Sequence, residues 1–114
     1  MSDCLFCKIR DGQIPSAITY RDEDVLAFKD INPRAPFHQL VVPLKHVSTL
    51  SSASQDEAEL LGKVMLAGTH LAKEAGYADN GYRVVMNAGK DAGQTVFHIH
   101  LHVLAGCALG WPPG

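Results

Sequence analysis

Three histidines occupy alternate positions, 98, 100 and 102, in the apolar segment VFHIHLHVLAG, which spans residues 96–106. The chain has only six histidines, so half of them fall within five residues. Side chains alternate between the two faces of a β-strand, so in a strand the three rings share one face, with neighbours about 6.5–7 Å apart. The other face, which we expect to pack on the core, then carries Phe97, Ile99, Leu101 and Val103.

Four functions fit three histidines in this pattern. They are a solvated polar face, a metal site, a pH switch, and a catalytic imidazole whose neighbours bind an anion. Chance rarely selects histidine three times in succession, and three successive side chains of one strand converge poorly on a single ion. The pattern therefore favours a catalytic central residue, His100, with His98 and His102 beside it.

The segment immediately before the histidines has the composition of an anion-binding loop. Residues 88–95, AGKDAGQT, include Gly89 and Gly93, which allow backbone N–H groups to approach a phosphate. Gln94 and Thr95 add side-chain donors for phosphate oxygens. An ordinary hairpin turn would explain the glycines alone, but the adjoining imidazoles favour a pocket for a phosphoryl group. Because neutral imidazole is a usable nucleophile near pH 7, the central ring is the candidate to attack the phosphorus.

The N-terminal pair Cys4-x-x-Cys7 has the spacing of a tetrahedral zinc site. Such a site needs two further ligands, and His46 and His98 are the candidates. The alternative interpretation is a reduced pair that binds no metal. The third cysteine, Cys107, is predicted to be an ordinary thiol.

The rest of the sequence predicts the elements that position these groups. Alternating apolar residues and turn signals predict strands over 17–20, 25–29, 38–44, 82–87 and 96–105. A helix is predicted over 55–75, with a capping box from Ser54 to Glu57 and a terminal Gly76. Strands followed by one long helix and further strands indicate an α+β fold with an antiparallel sheet, in a single domain over residues 1–114. The helix is apolar beyond one stripe, which suggests that a dimer covers its second side.

Composition restricts the possible partners. The 114 residues are 46% apolar and 19% charged, with a net charge of −2, so no broad basic surface predicts nucleic-acid binding. No apolar run approaches the roughly 20 residues of a membrane span, and the charged start MSDCLFCKIRDG is unlike a signal peptide. We therefore expect a cytoplasmic protein with no membrane partner.

Four blocks in order along the chain resemble the histidine triad family, and within it the Hint branch of nucleotide-binding proteins. The blocks are FKDINPRAPFHQLVVPLKH, GYRVVMN, AGQTVFHIHLHVLAG and WPPG. The resemblance implies an α+β homodimer whose two sheets join into one. It also implies an enzyme that hydrolyses purine nucleoside phosphoramidates, releasing AMP or GMP and an amine. His100 would form a nucleotidyl-histidine intermediate, and catalysis would need no metal ion.

The resemblance also implies roles for individual residues. Asp30 and Ile31 match positions that hold the ribose and base, and His38 matches a histidine that supports the nucleophile. From the residues alone, the favoured interpretation of Asp30 is a turn cap, and the alternative for His38 is a histidine at the end of the sheet. The phosphate-binding set corresponds to Asn87, Gln94, Thr95 and His102. Trp111 lies in a C-terminal tail that reaches the partner's active site, and some bacterial-type relatives hold a structural zinc through the first triad histidine.

Three other functions compete with this hypothesis. One is a dinucleoside polyphosphate hydrolase of the neighbouring branch, although the ending WPPG is unlike that branch. The second is a nucleotide-binding or scaffolding module with incidental hydrolysis. The third is a protein that binds only a metal.

Overall fold

The computed structural model describes residues 3–113, which form a five-stranded sheet with two α-helices. The helices are α1 (Leu5–Arg10) and α2 (Ala58–Glu74), and the strands are β1 (Ile18–Arg21), β2 (Val25–Lys29), β3 (Phe37–Pro43), β4 (Tyr82–Val85) and β5 (Leu101–Ala105). Two 3₁₀ turns, Leu50–Ser52 and Gln55–Glu57, precede α2. The α+β fold predicted from the order of elements is confirmed.

The strands lie in the order β1-β2-β3-β5-β4, and every neighbouring pair is antiparallel. The last strand of the sequence, β5, therefore lies between β3 and β4. Leu40 pairs with His102 across β3 and β5, and Val85 pairs with His102 on the other side. This register places the end of the histidine segment in the middle of the sheet.

Each face of the sheet is covered by one helix. Beneath α2, a cluster of buried residues joins the helix to three strands: Val25, Ala27, Val41, Val64, Ala72, Leu101 and Val103. On the opposite face, α1 contributes Phe6 and Ile9 to a second cluster with Leu26, Phe28, Leu40 and Val42. The two-residue period of β2 and β3 explains this division, because successive side chains point to opposite faces.

The start of α2 follows the predicted capping box, with one difference. The backbone N–H of Ser54 donates to Glu57 Oε1 at 2.7 Å, and the Ser54 hydroxyl accepts from the Asp56 N–H at 3.2 Å. The first turn is 3₁₀, so the α-helix begins at Ala58 rather than at residue 55. Gly76 ends the helix in the left-handed conformation, with φ of +90°, as predicted.

The predicted last strand is wrong at its start. Strand β5 begins at Leu101, so His98 and His100 precede it, and the Ile99 N–H donates instead to the carbonyl of Val47 at 2.8 Å. Ile99, Leu101 and Val103 are buried as expected, but Phe97 is 51% exposed and does not pack on the core. Helix α1 was not predicted from the sequence.

None of the helices in residues 3–113 is both long enough and apolar enough to cross a membrane.

The packing of α2 on β5 generates a stability prediction. A Cβ added at Gly68 would lie 2.9 Å from Leu101 Cδ2 and 3.0 Å from Val103 Cγ2, whereas a Cβ at Gly62 of the same helix has nothing within 4 Å. Replacing glycine by alanine favours a helix by about 1 kcal/mol, and overpacking a core costs about 1–3 kcal/mol. We expect Gly62→Ala to raise the free energy of unfolding and Gly68→Ala to lower it, as measured by urea denaturation. Equal stabilisation by both substitutions would contradict the close packing described here.

Candidate active site and metal centre

A cleft of about 290 Å³ lies on the face of the sheet that α1 covers. Its polar lining includes Asp30, Thr95, His100 and His102. Most of the remaining lining is apolar: Leu5, Phe6, Ile9, Ile14, Phe28, Ile31, Leu40 and Val96. The cleft therefore combines a surface suited to a flat apolar group with imidazoles, a hydroxyl and a carboxylate.

The central histidine is held in one tautomer. His100 is buried, and its Nδ1 lies 2.9 Å from the backbone carbonyl oxygen of His98. A carbonyl oxygen only accepts hydrogen bonds, so Nδ1 must carry the proton. In the neutral ring, Nε2 then has an unprotonated lone pair. This is the arrangement that a nitrogen nucleophile requires.

The third triad histidine belongs to a hydrogen-bonded chain that starts on the loop before β3. The Arg34 N–H donates to His38 Nδ1 at 2.9 Å, and His38 Nε2 lies 2.9 Å from His102 Nδ1. Because the backbone amide is a donor, the proton of the neutral His38 ring is on Nε2, which donates to His102 Nδ1. The neutral His102 ring then carries its proton on Nε2 and has a donor to offer to a ligand.

Burial keeps both of these rings neutral near pH 7. Burial lowers the pKa of His38, although the Asp30 carboxylate opposes the change. Burial, with the neighbouring His100 and His38, lowers the pKa of His102 to about 4. His102 is therefore a neutral hydrogen-bond donor near pH 7 rather than a positively charged imidazolium.

Asp30 serves two neighbours. Its Oδ1 accepts from the backbone N–H of Asn32 at 2.8 Å, which is the turn-capping role predicted from the residues alone. Its Oδ2 lies 3.3 Å from His38 Nε2. The carboxylate thus also lines the cleft beside the chain that ends at His102.

The four predicted metal ligands lie together. The Nδ1 of His98 is 3.4 Å from Cys4 Sγ, 3.5 Å from Cys7 Sγ and 3.1 Å from His46 Nδ1, and Cys7 Sγ is 3.3 Å from His46 Nδ1. All four ligand atoms lie within 4.8 Å of one another. Cys7 lies on α1 and Cys4 is its N-cap, so one helical turn brings the two cysteines together. The histidines come from the segments after β3 and before β5, so tertiary structure brings them to the cysteines.

The geometry of this cluster fits a tetrahedral zinc ion. Zn–S distances of about 2.3 Å and Zn–N distances of about 2.0–2.1 Å place ligand nitrogens about 3.3 Å apart, and nitrogen and sulfur about 3.5 Å apart. The His98 Nε2 lies 2.8 Å from the carbonyl oxygen of Pro43, so Nε2 carries the proton and Nδ1 faces the cluster unprotonated. Burial, the main cause, lowers the pKa of His98 to about 4, which also favours the neutral ring that binds a metal.

The three histidines of the triad thus do not converge on one ion. The ring of His98 joins the cysteine cluster, that of His102 joins His38 and Asp30, and His100 lies between them. The interpretation as a three-histidine metal site is therefore not supported by the structure.

The glycine-rich loop differs from its prediction. The Gln94 side chain is buried, accepts from the Gly89 N–H at 2.9 Å, and donates through Nε2 to the carbonyls of Ser48 at 2.8 Å and Val96 at 3.1 Å. Both amide hydrogens are therefore used within the protein. The N–H groups of Gly93 and Gln94 also donate within the loop, to Lys90 and Gly89. Of the predicted nucleotide-binding residues, the cleft brings together Asp30, Ile31, Thr95 and His102, whereas its lining does not include Asn87, Gly93, Gln94 or Trp111.

Two participants in the site were missed by sequence reasoning. The Arg34 amide selects the tautomer of His38, and Phe6 packs beside His100. Every residue except proline carries a backbone N–H, so the sequence does not show which of them donates to His38. Phe6 lies between the two cysteines, so a zinc site built from them would have brought this residue towards His98.

Comparison with known proteins decides the family. The model of the HIT domain matches residues 11–108. The chain belongs to the HIT domain family. An uncharacterized HIT-like protein of Synechocystis sp. is 46% identical over 112 residues, which are 98% of this chain and 97% of that protein.

Solved structures agree with this assignment. The crystal structure of a HIT family hydrolase from Legionella pneumophila has 45% sequence identity and a TM-score of 0.97, covering 98% of this HIT protein and 100% of that chain. A histidine triad nucleotide-binding protein from Candida albicans has 32% identity and a TM-score of 0.82, covering 96% and 83% of the two chains. This HIT protein is thus similar over nearly its whole length to a HIT family hydrolase.

The contacts of Gln94 generate a second stability prediction. In Gln94→Glu, a carboxylate would face the carbonyl oxygens of Ser48 and Val96 without hydrogens to donate. Two lost donors at a buried position should lower the free energy of unfolding by about 2–4 kcal/mol. The control is Gln13→Glu, which makes the same change at an exposed residue. If thermal denaturation at pH 7 shows equal stability for the two variants, the hydrogen bonds of Gln94 to Ser48 and Val96 do not stabilise the protein.

Proposed function

We propose that this HIT protein hydrolyses purine nucleoside phosphoramidates, as expected for the Hint branch, with His100 as the nucleophile. The observation that carries the proposal is the hydrogen bond from His100 Nδ1 to the carbonyl of His98, which leaves the lone pair on Nε2. Because His100 lines the cleft, a phosphorus atom bound there lies within reach of this nitrogen. The similarity to a HIT family hydrolase and to a histidine triad nucleotide-binding protein supports the same proposal.

In the first step, Nε2 of His100 attacks the phosphorus, an N–P bond forms, and the P–N bond to the amine breaks. The ring gains positive charge as it is phosphorylated, and the His98 carbonyl that accepts from Nδ1 stabilises this charge. The phosphoryl oxygens need donors that are already in place, which the Thr95 hydroxyl and the Nε2–H of His102 supply.

The departing amine needs a proton. The low pKa of His102 makes its ring neutral near pH 7, so it does not hold a spare proton to transfer. We therefore propose that the amine receives its proton from the phosphoramidate itself or from water in the cleft. In the second step, the oxygen of a water molecule bonds to phosphorus as the bond to Nε2 breaks. The electron pair of that bond returns to Nε2, and the proton lost by the water stays on the nucleoside monophosphate or passes to solvent, so that His100 is restored.

The rest of the cleft suits a nucleoside. The Asp30 carboxylate, which lines the cleft, is an acceptor for ribose hydroxyls. Apolar residues such as Phe28 and Leu40 offer a surface for a flat purine ring. Ile31 is 88% exposed, which leaves it available to contact a base at the mouth of the cleft.

We also propose that Cys4, Cys7, His46 and His98 hold a structural zinc ion. The support is the tetrahedral fit of the ligand distances and the hydrogen bond from His98 Nε2 to Pro43. When bound, the ion would fasten α1 to the segments before β5 and after β3. Catalysis itself needs no metal on this proposal.

A homodimer that joins two sheets is a further part of the proposal. Strand β4 is an edge strand with all four residues partly exposed, so one side of its backbone can pair with another strand. On α2, Met65 and Leu66 are 44% and 69% exposed, which leaves apolar surface for a partner to cover. Trp111 is 83% exposed and is available to a second subunit.

The hydrolase proposal predicts the behaviour of two histidine variants. In an assay of AMP release from adenosine 5′-phosphoramidate, His100→Ala should lower kcat/KM at least about a thousandfold, because the covalent nucleophile is lost. His70→Ala is the matched control, since His70 is exposed on α2, where it pairs with Glu74. A wild-type rate in His100→Ala would exclude His100 as the nucleophile. Binding of AMP without turnover would instead favour the nucleotide-binding module, and faster turnover of a dinucleoside polyphosphate would favour the neighbouring branch.

The zinc proposal predicts a difference between two cysteine variants. Protein purified without chelator should contain about one zinc ion per chain, as measured by elemental analysis. Cys7→Ser should lose the metal and unfold at a lower temperature. Cys107→Ser should keep both properties, because Cys107 is exposed and lies outside the cluster. Wild-type protein without zinc would contradict the proposal.

A further inference from the structure

We propose that Phe6 is a positioning residue for the His100 ring, and that the cluster of Cys4, Cys7, His46 and His98 controls the active site through it. This inference rests on the proposed role of His100 as the nucleophile.

Phe6 is in contact with both parts of the site. It is 4% exposed and lies on α1 between the two cysteines of the cluster. The centroid of its ring is 5.0 Å from that of His100, with an angle of 79° between the ring planes, and 5.9 Å from that of His98, at 76°. Phe28 supports it from the sheet, with centroids 5.5 Å apart. Edge-to-face contacts of this kind are directional, so they restrict how the rings rotate.

The orientation of His100 needs more than one restraint. The torsion that rotates an imidazole about its bond to Cβ has a broad, roughly two-fold preference, so the ring itself selects neither orientation. One restraint is the hydrogen bond from Nδ1 to the His98 carbonyl. The Phe6 ring supplies a second, which acts on the plane of the imidazole. A His100 ring turned out of this plane would meet a buried aromatic side chain, and its Nδ1–H would lose its alignment with the His98 carbonyl.

The position of Phe6 depends in turn on the cluster. Helix α1 has only six residues, which is too short to be stable without tertiary contacts. Its N-terminus is capped by the Cys4 sulfur, which accepts from the Cys7 N–H at 3.4 Å, and both cysteines belong to the cluster. Near its other end, Arg10 Nη1 donates to the Leu44 carbonyl at 2.8 Å. Loss of the cluster would leave Phe6 held mainly by apolar contacts.

The test compares Phe6→Leu with Phe97→Leu. The control makes the same substitution at a phenylalanine that is 51% exposed and adjacent to His98. Zinc content, kcat and KM are measured for each, and long-range ¹H–¹⁵N NMR reports the tautomer of His100, whose signals are assigned by their loss in His100→Ala. We expect Phe6→Leu to retain zinc, to show a mixture of His100 tautomers, and to lose about tenfold to a hundredfold in kcat with a smaller change in KM. Phe97→Leu should resemble the wild type in all four measurements.

The opposite result separates positioning from simple contact with a ligand. If Phe6→Leu raises only KM and leaves the His100 tautomer as in the wild type, Phe6 is merely a wall of the cleft and the inference is wrong. Should the leucine variant not fold, Phe6→Met makes the same comparison.

Cys7→Ser tests whether the position of Phe6 depends on the cluster. The NMR measurement reports the His100 tautomer directly, so this test does not depend on the proposed reaction. We expect this variant to lose zinc and to show the same mixed His100 tautomer as Phe6→Leu. A zinc-free variant with an unchanged tautomer would overturn the link. If the wild type hydrolyses no phosphoramidate, the proposed function fails, but the tautomer measurements still decide whether Phe6 positions His100.

Discussion

The geometry of the proposed active site depends on one hydrogen bond, from His100 Nδ1 to the backbone carbonyl of His98. That carbonyl is available because β5 begins only at Leu101, where the pairing with β3 ends at Val41 and Leu101. A carbonyl within a fully paired strand is already occupied by the hydrogen bonds of the sheet. The irregular backbone before β5 therefore has a chemical use, since it provides an acceptor beside the ring that needs one.

The two outer histidines of the triad are held by opposite arrangements. The His98 ring donates to the carbonyl of Pro43 and presents Nδ1 to the cysteines, whereas the His102 ring accepts at Nδ1 and presents an N–H. Each choice follows from a fixed backbone group, the Pro43 carbonyl or the Arg34 amide, which has only one hydrogen-bonding role. One motif thus presents an unprotonated nitrogen to the cysteine cluster, a lone pair on His100 and an N–H donor on His102, because each ring has a different partner.

Periodicity and spacing predicted much of this arrangement. The alternation of apolar residues with histidines correctly placed Leu101 and Val103 in the core, which the structure shows to lie beneath α2. The spacing of the cysteines indicated a site for two further ligands, and both candidate histidines, His46 and His98, lie in the cluster. Features set by tertiary contacts escaped prediction. The six residues of α1 are too few to show a helical period, and the start of β5 depends on where the Ile99 N–H finds its acceptor, at Val47. The inward direction of Gln94 was missed because its partners, such as Ser48, are distant in sequence.

The central place of β5 has a consequence for how the protein is made. This strand follows the other four strands of the sheet in the sequence, yet it lies between β3 and β4 and is paired with both. While the ribosome adds residues 86–100, β3 and β4 each present an edge that lacks its eventual neighbour. Pairings so distant in sequence form slowly, and unpaired edges promote aggregation. We therefore expect the sheet of the nascent chain to stay incomplete until β5 has been added, with the facing edges of β3 and β4 open to other strands until then.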